Sequence, residues 1–80
     1  MIVTSSDIIN LMKETGMNEK FVNSLRVDVP LILQGMDSID LPMLAVETEK
    51  KYHIDLSDAS AGQLKTINDF VAFVNKKINF

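Results

Sequence analysis

Apolar residues recur along this chain at helical rather than strand spacing, and they mark three long amphipathic segments. In the first, Ile8, Leu11 and Met12 share one stripe. Thr4 stands before it with Asp7 three residues on, which supplies a capping hydroxyl and an acid at the third helical position, and Gly16 marks the end. In the second, Leu41, Leu44, Ala45, Thr48 and Tyr52 fall at i, i+3, i+4, i+7 and i+11, the spacing of a core-facing stripe. Ile39, Met43 and Val46 form another stripe beside it. That is more apolar surface than one core face needs, so part of it is expected to face a partner or an attached group. In the third, Thr66 and Asp69 repeat the capping pattern, and Ile67, Phe70, Val71, Val74 and Ile78 make the buried face. Lys76 and Lys77 then lie near the negative end of that helix's dipole.

The connections are unequal. Residues 17–36 hold only scattered apolar positions, one Pro and a closing Gly, and read as a long loop pinned to the core by Leu25 and Leu31. The second long helix is expected to begin at Asp37, whose carboxylate can cap it, with Asp40 at the third position. Pro42 complicates that start. Four residues after Ser38, it has no N–H for the Ser38 carbonyl, so the first turn is expected to be loosened or 3₁₀-like, or the regular helix to begin only near Leu41. After it, residues 53–56 are a connector, and Ser57 with Asp58 opens a brief helical turn before Gly62. The expected fold is therefore all-α, a small bundle of three long helices plus one short helix, with residues 1–80 as a single domain.

Composition narrows the function. Eighty residues bury only about 60% of the surface their unfolded chain exposes, enough for one small core. Cysteine is absent, so any thiol chemistry must come from a cofactor. The first residues lack the basic and apolar regions of a secretion signal, and no apolar stretch is long enough to span a bilayer, so a cytoplasmic location is expected. Net charge is −3, which argues against a nucleic-acid partner. The distribution is more telling: residues 28–49 carry Asp28, Asp37, Asp40, Glu47 and Glu49 with no Lys, Arg or His, leaving the remainder positive by two. That stretch is suited to meeting basic partners.

Catalytic machinery is missing from the sequence. His53 is the single histidine and reads as a polar helix-end residue; no metal-ligand spacing and no Gly-rich phosphate loop occurs. Asp37 and Asp40 read as capping and docking charges rather than an acid–base pair. An enzyme is not expected.

What remains is the run Gly35, Met36, Asp37, Ser38, Ile39 at the junction of the long loop and the acidic helix. Placed about halfway along an acidic helical chain, it resembles the attachment motif of acyl carrier proteins. The likeness continues through Tyr52, His53, Ile54, Asp55, Leu56 and through Leu64, Lys65, Thr66, Ile67. The resemblance implies that Ser38 carries 4'-phosphopantetheine, joined to its hydroxyl from coenzyme A by a phosphopantetheinyl transferase that recognises Asp37 and supplies its own base. It implies that acyl-transferring and acyl-modifying enzymes with basic patches dock on the acidic helix, at Ile39, Asp40, Met43, Val46, Glu47 and Glu49. A monomer is expected. Peptidyl or D-alanyl carriers share the motif, and an unmodified helical interaction module would carry the same Asp-Ser start; both stay open.

Three departures from the family pattern stand out, in the loop before the motif, in the acids of the helix and at Pro42. Leu33 and Gln34 replace the usual acid and leucine before the motif's Gly, Met43 stands where an acid is common, and Lys50 and Lys51 occupy the usually acidic end of the helix. Together with Pro42 they point to a specialised fatty-acid, polyketide or lipid pathway rather than bulk fatty-acid synthesis.

Overall fold

The computed structural model describes residues 1–57, 59 and 62–79. Among the described residues four helices, α1 (Ser5–Glu14), α2 (Glu19–Asn23), α3 (Asp40–Tyr52) and α4 (Ile67–Ile78), are joined by loops that include one turn of 3₁₀ helix, Leu31–Gln34. Among the described residues there is no strand. The expected all-helical bundle is what forms.

Local sequence explains where α1 and α4 begin. Thr4 and Thr66 each accept the N–H of the residue three on, and Asp7 and Asp69 reach back to the cap N–H, so both helices start with reciprocal capping boxes. α1 ends in a Schellman motif: Gly16, at φ +93°, donates to the Lys13 carbonyl, and Met17 donates to that of Met12. α3 ends in a comparable way. There His53 takes the left-handed position, and Ile54 donates to the Glu49 carbonyl.

α1 packs against α2, α3 and α4. Ile8, Leu11 and Met12 meet Leu44 of α3 and Ile67, Phe70 and Val74 of α4 in one buried cluster. Thr48 lies fully buried on the same face of α3, with its hydroxyl donating to the Leu44 carbonyl at 2.7 Å, so no polar atom is stranded. The segment before α1 is fastened to α4, because the Asn75 side chain accepts the Val3 N–H at 2.7 Å and donates to the Val3 carbonyl at 2.9 Å.

One expectation about the connections needs correction. Residues 17–36 are not one long loop: Asn18 caps α2 by accepting the Phe21 N–H, and α2 drives Val22 into the core beside Leu31. Leu25 packs against that core only partly buried. The short helix among the described residues is Glu19–Asn23. The turn expected at Ser57 and Asp58 lies partly outside the described residues; Leu56 is buried there, and Ala59 donates to its carbonyl.

Candidate functional site

The site begins with the 3₁₀ turn. Leu31 is fully buried and the chain leaves the turn through Gly35 at φ +105°, a left-handed conformation that strains any residue with a Cβ. Met36 then drops back into the core, its N–H donating to the Leu31 carbonyl. These two anchors lift Asp37 and Ser38 onto the surface immediately afterwards.

Between Met36 and α3 the backbone makes a single tight turn. The Asp40 N–H donates to the Asp37 carbonyl at 2.9 Å, an i to i+3 bond, and the Ile39 N–H donates to the Asp37 carboxylate at 3.2 Å. Regular helix starts only at Asp40, not at Asp37, and the Ile39 cap position has no side-chain cap bond. Pro42 accounts for this. In a helix starting at Asp40 it is the third residue, one of the positions whose N–H has no helical acceptor, so its missing donor forfeits nothing. A helix starting at Ser38 would have needed that donor. Asp40 consequently sits at the first helical position rather than the third, still favourably placed against the helix dipole.

Ser38 is exposed, and among the described residues its hydroxyl makes no hydrogen bond. Beside it, Ile39 (65% exposed), Met43 (59%) and Val46 (46%) line the outward face of α3, so the second apolar stripe is surface and not core. Pro42, Met43, Val46 and Glu47 border a shallow hollow of about 220 Å³ on that face. A larger groove of about 670 Å³ lies towards α1 and α2; Met17, Phe21 and Met43 line it together with Asp37, Asp40 and Glu47. Glu47 pairs with Lys50 at 3.6 Å. Glu49 is half-buried and its carboxylate accepts the Leu56 N–H at 2.8 Å, so one of its oxygens is engaged within the chain.

Leu33, one of the departures from the family pattern, is 77% exposed on the 3₁₀ turn and adds an apolar surface residue ahead of Ser38. What is not legible in the sequence pattern is that Gln34 turns its side chain onto the loop backbone. The alternation of buried Leu31 with outward Ile32 and Leu33 carries no period long enough to read. Among the described residues no group of acids and histidines is placed to hold a metal ion, and no helix is long and apolar enough to cross a membrane.

Ser38 thus presents an exposed hydroxyl on a tight turn, open to covalent modification. Comparison with known proteins is independent of that geometry. Residues 8–74 match the family model described as a phosphopantetheine attachment site. A protein of Solidesulfovibrio magneticus named acyl carrier protein is 31% identical over 64 residues, covering 80% of this chain and 70% of the relative. Proteins of the same name from Onion yellows phytoplasma and Rhodococcus erythropolis are 40% and 30% identical, over 52% and 79% of this chain. The chain spans 55% of the phytoplasma protein's length and 59% of the Rhodococcus protein's. No solved structure matches.

Proposed function

The chain belongs to the acyl carrier protein family, whose members bear covalently attached 4'-phosphopantetheine, and on that premise we propose that Ser38 is the attachment residue. The observation that carries this reading is the Ser38 hydroxyl itself, exposed and, among the described residues, unbonded in the turn between Gly35 and α3. The attached group supplies a terminal thiol, which this cysteine-free chain lacks, to hold an acyl group as a thioester.

Each neighbouring residue then has a task. Asp37 fixes the turn through its bond to the Ile39 N–H and presents a carboxylate to the phosphopantetheinyl transferase. No histidine lies near Ser38 in the sequence to act as its base, so the transferase brings its own. Ile39, Met43 and Val46 give docking enzymes an apolar contact, while Asp40 and Glu47, with Glu49 further along, attract their basic residues. Charge complementarity of this kind favours fast, transient encounters, which suits a carrier that visits several enzymes. Residues 1–80 act as one non-catalytic carrier domain in a specialised acyl pathway of the cytoplasm.

The experiment is a mass measurement. Incubated with coenzyme A, magnesium and a broad-specificity phosphopantetheinyl transferase, the wild type is expected to gain the mass of phosphopantetheine, and Ser38→Ala to gain none. A wild type that stays unmodified would favour an unmodified helical interaction module instead.

A further inference from the structure

Gln34 is the last residue of the 3₁₀ turn, one before Gly35 and four before Ser38. Its side-chain amide is almost fully used. Oε1 accepts the Arg26 N–H at 2.7 Å, and Nε2 donates to the carbonyls of Arg26 and Val29, both at 2.9 Å. Both donors and one acceptor site of the amide are thereby satisfied. Toward Arg26 the side chain behaves like the backbone of a neighbouring strand, answering its N–H and its carbonyl together.

These bonds close residues 26–34 into a ring, and the ring is fastened to the start of α4 at two points. Leu31 donates to the Lys65 carbonyl at 2.8 Å, and Asn68 donates to the Val27 carbonyl at 3.0 Å. From Gln34 the chain passes through left-handed Gly35 and buried Met36 directly into the Ser38 turn. That turn's two bonds, from Ile39 to the Asp37 carboxylate and from Asp40 to the Asp37 carbonyl, are internal. They set its shape and not its place on the molecule. Its place comes from α3 on one side and, on the other, from the buried Leu31 and Met36 anchors and the Gln34 ring that holds the loop leading to them.

We infer that Gln34 is a positioning residue for Ser38, its amide holding the loop so that the hydroxyl meets the modifying enzyme in one pose. The inference rests on Ser38 being the attachment point. Without the amide, residues 26–34 lose the ring that limits their freedom, and the enzyme must order the segment as it binds.

The test uses Gln34→Ala and Gln34→Glu. The latter keeps an acceptor for the Arg26 N–H but turns a carboxylate without donors on the Arg26 and Val29 carbonyls. With coenzyme A and a broad-specificity transferase, varying the carrier concentration, KM for Gln34→Ala is expected to rise about fivefold with kcat within about twofold. Amide resonances of residues 35–39 are expected to broaden while those of α1 keep their wild-type positions. A purely structural role would lower Tm and leave KM of the folded protein unchanged, so an unchanged KM in folded Gln34→Ala overturns the inference. Should that variant not fold, the same fivefold rise is expected of Gln34→Glu, and an unchanged KM there is equally decisive. In the wild type, the Arg26 amide is expected to exchange slowly, and exchange as fast as in an unstructured peptide also overturns it. A wild type the transferase cannot modify strikes at the attachment role of Ser38 instead, leaving the exchange result to judge the Gln34 ring.

Discussion

The Glu49 carboxylate accepts the N–H of Leu56 at 2.8 Å, tying the last turns of α3 to the connector that follows. The left-handed turn at His53 makes the meeting possible by folding the chain back on the helix end. Glu49→Ala leaves that partly buried N–H without its partner and is expected to cost about 1–2 kcal/mol in urea unfolding, whereas Glu49→Gln, which keeps a carbonyl acceptor, should cost about half or less. Glu47→Ala removes only a partly exposed pair with Lys50 and should stay within about 0.5 kcal/mol of wild type.

Pro42 sets the beginning of α3 by what it lacks. In Pro42→Ala the new N–H can reach the Ser38 carbonyl, and the helix is expected to grow back toward Asp37. Stability should change by less than about 1 kcal/mol, since the gained bond is offset by greater freedom of the unfolded chain. Amide exchange is the better readout: protection of the new N–H at the substituted position and helical chemical shifts at Ser38 are expected, and an unshifted helix start would refute the account.

The acidic helix and its apolar stripe predict a salt-dependent encounter. Asp40→Asn combined with Glu47→Gln is expected to slow Ser38 loading severalfold at low ionic strength, with the gap narrowing near 1 M salt, where the Debye length falls to about 3 Å. Met43→Ala should slow loading by a factor that salt leaves largely unchanged. Equal salt sensitivity in all variants would remove charge steering from the picture.

Much of this geometry is legible in local patterns, because what fixes it is local. Thr4 with Asp7, Thr66 with Asp69, and the i, i+3, i+4 stripe of α3 each declare themselves within one or two turns. Pro42 likewise announces the late start of α3, although the capping expected of Asp37 becomes a bond to Ile39 one turn ahead of the helix. α2 does not show itself because five residues are too few to display a period; Asn18 before Glu19 is its only local signal. The Gln34 ring is not legible at all. It joins positions eight apart through a side chain, and nothing in the identity of Arg26 or Val29 matters to a bond with their backbones.

Tyr52 adds a pH dependence to stability at the alkaline end. Partial burial at the end of α3, reinforced by the nearby Asp7 carboxylate, holds its phenol above the usual value of 10.0. The unfolded chain therefore loses this proton first, so the contribution to stability is complete below pH 10 and disappears as pH rises through the higher folded value. Tyr52→Phe should flatten the fall in Tm above that pH, and an identical alkaline profile would contradict the assignment.

The paired bonds between Asn75 and Val3 bring the beginning of the chain alongside the end of α4. From Asn75 to Asn79 the helix advances only about 6 Å, so residues 3 and 79 lie towards one pole of the bundle. Residues 3–79 could therefore be spliced into a loop of another protein through two neighbouring junctions, with the exposed serine turn left uncovered.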